Sequence, residues 1–150
     1  MTVRVQAEPF DLAQEVAAAK AGRTDIGAIV TFTGIVRNIA GDRPLIAMTL
    51  EHYPGMTEAE LARVETEANE RWPLQSSLII HRYGRLLPGE DIVLVVTASA
   101  HRQAAFSAAE FLMDYLKTSA PFWKKETAVD GSGAWVDARD SDDEAMAKWR

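Results

Sequence analysis

The chain has no cysteine. That absence excludes disulfides, thiolate metal sites and every mechanism with a cysteine nucleophile, so any sulfur handled here must arrive on another molecule. Histidine is scarce as well. His52, His81 and His101 stand far apart, with no metal-ligand spacing such as HExxH, so neither a metal nor a cofactor is expected. No apolar run approaches the ~20 residues of a membrane span. Met1 to Gln6 alternate apolar and polar residues rather than forming a signal peptide's hydrophobic block, which gives the cytoplasm as the expected compartment and no membrane partner. Positive charge is the minority sign, with 16 Lys and Arg against 22 Asp and Glu, a formal charge of -6. General nucleic-acid binding needs the opposite surplus, so no nucleic-acid partner is expected. There is also no Gly-rich phosphate loop and no GxSxG elbow.

What is present is an ordinary globular composition, 47 % apolar and 25 % charged over 150 residues. This length fits a single domain, 1–150, with a polar tail at 140–150 that is either helical or frayed. Thr2 to Gln6 reads as a strand. Asp11 with Gln14 resembles a capping box for a helix through Lys20, which Gly22 ends. Gly27 to Arg37 is β-rich, Asn38 to Pro44 a hairpin loop and Leu45 to Tyr53 the returning strand. Thr57 with Glu60 suggests a second capping box, for a helix to about Arg71 that Pro73 closes. Ser77 to Leu86 and Ile92 to Ala98 read as two strands joined by Pro88-Gly89-Glu90. The second is apolar on both faces and is expected to be central and covered. A third helix runs from about Arg102 to Lys117, with Ala104, Ala108, Phe111, Leu112 and Tyr115 as its core stripe. Phe122 to Val129 and Trp135-Val136 are further extended segments. Helices and hairpins mixed in this order predict an α+β fold with a mixed or antiparallel sheet and about three helices.

The segment from Asp114 to Val129 carries most of the chemistry. Lys117, Lys124 and Lys125 fall within nine positions, interleaved with Tyr115, Phe122 and Trp123. Cations set into an aromatic wall suggest a pocket for an anionic small molecule. Taken alone, Lys117 is explained as well by helix-dipole complementation and an i,i+3 pair with Asp114. Lys124 and Lys125 are consecutive on a strand and so point to opposite faces. His101-Arg102, after a strand and opening a helix, form an anion cradle or simply cap that helix. Arg37 is a third candidate cation or an exposed strand end. Glu51-His52-Tyr53 reads as a hydrogen-bonded structural cluster and His81-Arg82 as structural. Ser99 near His101 has no acid placed beside it.

Several stretches together resemble the large, catalytic subunit of molybdopterin synthase. They are Thr31 to Asn38, Leu50 to Met56, Ile80-His81-Arg82, Ser99 to Arg102, and Met113 through Glu126. The likeness covers roughly residues 27 to 139 and leaves out the N-terminal helix, the loop at Ile39 to Arg43 and the acidic tail. It implies an α/β-hammerhead fold. It further implies an enzyme, a sulfurtransferase that converts cyclic pyranopterin monophosphate to molybdopterin. Its two dithiolene sulfurs come from the C-terminal thiocarboxylate of a small ubiquitin-like subunit. By the same resemblance Lys117 and Lys124 are catalytic, and Arg37, His101 and Arg102 contact the substrate phosphate. Lys125, Glu126 and Arg139 lie beside them as substrate-binding candidates. Tyr83 stands where the family has an aliphatic residue and is expected to affect packing only.

One expectation is geometric. On a straight helix His101 and Lys117 lie about 24 Å apart along the axis, too far for a substrate on the order of 10 Å to bridge in one chain. A homodimer with shared active sites is therefore expected, His101 and Arg102 coming from the second copy. Two rival readings use the same cations. One is a non-enzymatic module binding an acidic metabolite or a partner's C-terminal tail. The other is a Schiff-base enzyme with Lys117 or Lys124 as nucleophile.

Overall fold

The structure is a computed structural model that describes residues 1–136 and 142–150 in full and the backbone alone at 140 and 141. In chain order the elements are β1 (Thr2–Gln6), α1 (Leu12–Lys20), β2 (Ala28–Ile35), β3 (Ile39–Ala40), β4 (Arg43–His52), α2 (Met56–Arg71) and β5 (Leu74–Arg82). They continue as β6 (Gly84–Leu86), β7 (Asp91–Ser99), α3 (Arg102–Thr118), β8 (Phe122–Ala128), β9 (Gly133–Val136) and α4 (Asp140–Ala147). The fold is α+β, as expected, with a fourth helix in the polar tail.

Two sheets share the chain. The first has the order β1-β5-β7-β2, with β1 parallel to β5 and the other pairs antiparallel. β7 is central, and its unbroken apolar run is explained by cover on both faces. On one face Ile79 and Val95 pack against Leu61, Val64 and Ala68 of α2 and Phe111, Leu112 and Tyr115 of α3. On the other, Leu78, Ile80, Leu94 and Val96 meet Phe10 and Ala19 at α1. Removing a side chain such as Leu61 or Phe111 from water contributes roughly 1.5–3 kcal/mol each, and this packing fixes α3 against the sheet.

The second sheet runs β3-β4-β8-β9, and β6 joins the edge of β4 beyond β3. A small cluster of Val36, Met48, Leu50 and Leu86 forms its core. The strand expected over Ser77 to Leu86 is in fact two strands in two sheets. Gly84 takes φ 91°, a left-handed conformation that suits glycine, and turns the chain from the first sheet into the second.

One other expectation needs correction. Thr57 does not cap α2. The helix starts earlier, at Met56, with Gly55 as its N-cap, whose N–H donates to the Glu58 carboxylate. Thr57 is buried instead, its hydroxyl donating to the Tyr53 carbonyl at 2.8 Å. Of the two readings of the tail, helical or frayed, the structure has the helix, α4. Met146 is buried, the Trp149 ring meets Phe111 and Trp72 edge-on, and its indole N–H donates to Asp114 at 2.6 Å.

Glu65 of α2 is 2 % exposed and accepts from the Ser77 hydroxyl at 2.7 Å and the Thr2 N–H at 3.1 Å. Burial pushes its carboxyl above the ordinary carboxylate range, and these two donors offset only part of that rise. The folded chain therefore keeps a proton that the unfolded chain has already lost. Stability then falls as pH rises from the ordinary Glu value through the folded one. Glu65→Gln has no charge to desolvate and should flatten that fall by roughly 1 kcal/mol. Urea midpoints of both proteins across about pH 4 to 7 check this. Parallel curves would remove Glu65 as the cause.

Candidate active site

β2 delivers the first cation. Its pairing with β7 shifts register between Gly34 and Ile35, at a glycine where an added Cβ would come within 2.6 Å of Val93. Beyond the strand, Val36 stays buried and bonds both ways to the β6–β7 turn, its N–H to the Glu90 carbonyl and its carbonyl to the Gly89 N–H. Arg37, the next residue, is thrown outward from this anchored point.

α3 delivers the second. Tyr115, 3 % exposed, holds its C-terminal turn by donating to Glu60 of α2 at 2.6 Å, and Arg63 Nε donates to the same carboxylate. Burial and the neighbouring Glu60 push the Tyr115 hydroxyl up to about 12, so it remains a donor. The Ser119 N–H closes the helix on the Tyr115 carbonyl, and Lys117 projects from that last turn.

β8 supplies the third. It pairs antiparallel with β4, setting Phe122 opposite His52, Lys124 opposite Leu50 and Glu126 opposite Met48. Phe122, Lys124 and Glu126 share the face that looks toward α3 and Arg37. These side chains, with Arg37 and Lys117, line one cleft of about 610 Å³, a size suited to a small molecule. Its floor is apolar, made partly by Met48, Leu50, Ile92 and Val93, and Asp142 sits at its border.

The structure thus brings together Arg37, Lys117, Lys124 and Glu126. Lys125 is not among the cleft-lining residues. It points to the other face of β8, where its stem lies over Gly133 so closely that a Cβ there would fall 2.5 Å from Lys125 Cε. His101 and Arg102 occupy a separate hollow with Gln103, Phe106 and Ser107 at the start of α3. α3 is one continuous helix from Arg102 to Thr118, as the distance argument required. Arg139 lies outside the described residues. Among those described, no group of three or more His, Asp or Glu is placed to hold a metal ion.

Two aromatic groups under the cleft were read from the sequence as structural. In the Glu51-His52-Tyr53 cluster His52 Nδ1 lies 3.1 Å from the Thr57 hydroxyl. That hydroxyl's own proton goes to Tyr53, so the imidazole is the donor. Tyr83 packs against the His52 ring at 4.6 Å, consistent with a packing role. His81, by contrast, reaches the cleft itself. Its ring stacks on Phe122 with centroids 3.8 Å apart, and its Nδ1–H donates to the Arg82 carbonyl at 2.8 Å. Burial pushes its pKa down to about 4 against the pull of that carbonyl, and the positive charge of Lys117 adds to the fall. Nothing local in the sequence marks this contact with the cleft, because a histidine inside an apolar strand looks like any core residue.

Chemically, the cleft is a set of donors, two ammoniums and a guanidinium, over an apolar floor with two carboxylates, Glu126 and Asp142, beside them. Such a site holds a compact anion and stabilises negative charge that develops on it.

Residues 5–119 match the family model described as MoaE protein. The chain belongs to the MoaE protein family. A MoaE relative from Mesorhizobium japonicum, named molybdopterin synthase catalytic subunit, is 59 % identical over 150 residues, 99 % of this chain and 93 % of that one. The solved MoaE structure from Burkholderia ambifaria superposes with a TM-score of 0.83 at 53 % identity, covering 99 % of this chain and 98 % of its own. That of molybdopterin synthase from Staphylococcus aureus gives 0.81 at 32 % identity, over 89 % and 95 % of the two chains. The family expected from the sequence motifs is therefore the right one, and its solved members share this MoaE fold.

Proposed function

We propose that this chain is the catalytic subunit of a molybdopterin synthase. It transfers sulfur from the C-terminal thiocarboxylate of a small ubiquitin-like subunit to cyclic pyranopterin monophosphate, forming the dithiolene of molybdopterin. The observation that carries the reading is the convergence of Lys117, Lys124 and Arg37 in one apolar-floored cleft. A thiocarboxylate and a phosphate-bearing substrate are both anions, and they repel strongly where water is excluded. Cations held by a helix end and a paired strand offset that repulsion without having to reorganise during the reaction. In this reading Lys117 and Lys124 stabilise the thiocarboxylate and the oxyanion of transfer, and Arg37 holds phosphate with Glu126 at its side. Lys125 adds positive charge from the other face of β8, and Arg139 is kept as a substrate-binding candidate on the resemblance alone.

His101 and Arg102 complete the phosphate contacts from a second copy of the chain. The length of α3 supports this part, since its two ends cannot serve one small substrate within one chain. The assembly is then a homodimer carrying one small subunit on each protomer, and we place it in the cytoplasm. No helix among the described residues is long and apolar enough to cross a membrane.

The test is reconstitution. The purified chain, cyclic pyranopterin monophosphate and thiocarboxylated small subunit should yield dithiolene product, with two thiocarboxylates consumed per product. Capture of the small subunit's tail without any product would replace this reading with that of a binding module.

A further inference from the structure

His81 combines features that a packing role does not require. Its Nδ1 proton is committed to the Arg82 carbonyl, so the second ring nitrogen, Nε2, is a bare acceptor. Among the described residues no hydrogen bond reaches Nε2. The ring is 8 % exposed, and it is on the cleft that it opens. Its plane is set by the stack on Phe122, two residues before Lys124 on β8. The other nitrogen-bearing side chains of the cleft, Arg37, Lys117, Trp123 and Lys124, are donors only. Gln75 Oε1 is the one buried side-chain atom without a partner among the described residues, so Nε2 is open to the cleft, and it loses its solvent donor once a substrate displaces water there. Lys117 on α3 lines the same cleft as His81, and its charge, with that of His52 on β4, helps burial to lower the His81 pKa.

We propose that His81 is a positioning residue for Lys117: its Nε2 accepts a hydrogen bond from the Lys117 ammonium and fixes that charge over the occupied cleft. The proposal rests on the reading of Lys117 as catalytic. A neutral imidazole suits the task, because it gives the ammonium a fixed partner without neutralising the charge that the anionic reactants need. A carboxylate at this position would compete with those anions. Burial keeps the ring in that neutral form at ordinary pH.

His81→Phe keeps the flat ring against Phe122 and removes the acceptor, whereas His81→Gln keeps an acceptor oxygen. In the reconstituted synthase His81→Phe should lower kcat by about 10- to 100-fold with KM little changed, as expected when a reacting group is misplaced by a fraction of an ångström. His81→Gln should recover part of the loss. Added to Lys117→Ala, the Phe substitution should cost nothing further, because its effect runs through the missing ammonium. A second readout needs no turnover. With the cleft filled by inorganic phosphate, the NMR titration of the Lys117 ε-methylene should shift between wild type and His81→Phe, and between wild type and His81→Gln by less. Should His81→Phe fail to fold, that comparison with His81→Gln decides the matter. An unshifted Lys117 titration overturns the proposal. So does a raised KM at unchanged kcat, which would make His81 a substrate contact, and so does a full additional loss in the Lys117→Ala background. Because the titration is independent of sulfur transfer, failure of the proposed reaction and failure of the His81 assignment are separable.

Discussion

Lys117→Ala should lower sulfur transfer by about 100- to 1000-fold, the loss typical of removing one preorganised charge from a transition state. The fold should hardly notice. Lys117 is exposed in the last turn of α3, alanine is a better helix former, and the turn is held by Tyr115, Glu60 and the Ser119 cap rather than by the lysine. Single-turnover product formation, measured beside a thermal melt, separates the two effects. Lys125→Ala is the control for charge alone. It removes the same formal charge from the neighbouring strand, but from the face that lies over Gly133, and its loss should stay within about threefold. Equal losses for Lys117→Ala and Lys125→Ala would mean that overall charge, not placement in the cleft, sets the rate.

The second large effect is a recovery. His101→Ala and Lys117→Ala should each be nearly inactive as pure proteins. Mixed at equal concentration and allowed to exchange subunits, half of the dimers should contain one chain of each kind. In such a dimer one shared site pairs intact His101 with intact Lys117, and the other site lacks both. Activity should therefore return to about a quarter of wild type. Heterodimers verified by mass spectrometry that remain inactive would place both residues in sites within one chain, against the distance that α3 imposes.

Much of this arrangement was legible in the sequence. The period of α3, the doubly apolar β7 and the alternation in β8 each follow from local chemistry, and the alternation separates Lys124 from Lys125, although it does not say which of the two faces the cleft. The positions that were not legible share a different character. Thr57 has the sequence pattern of a cap, but its hydroxyl was claimed by the Tyr53 backbone, a choice fixed by the β4-to-α2 turn. The chain leaves the first sheet at Tyr83-Gly84 because β4 offers a free edge for Gly84–Leu86, and no local signal marks a strand that changes sheets. His81 reads as a core residue until β8 brings Phe122 against it. In all three cases the deciding partner lies on another element, and single-sequence periodicity carries no record of it.

α3 acts as a gauge rod. One of its ends walls the cleft, and the other carries His101 and Arg102 at a distance set by the rise per residue. A single inserted residue would turn everything beyond it by about 100° and swing the buried stripe of Phe111, Leu112 and Tyr115 off the sheet. A full added turn would keep that stripe in phase but move the two ends about 5.4 Å further apart. In the shared-site reading proposed above, this helix is held to one length by the spacing of two sites it never joins.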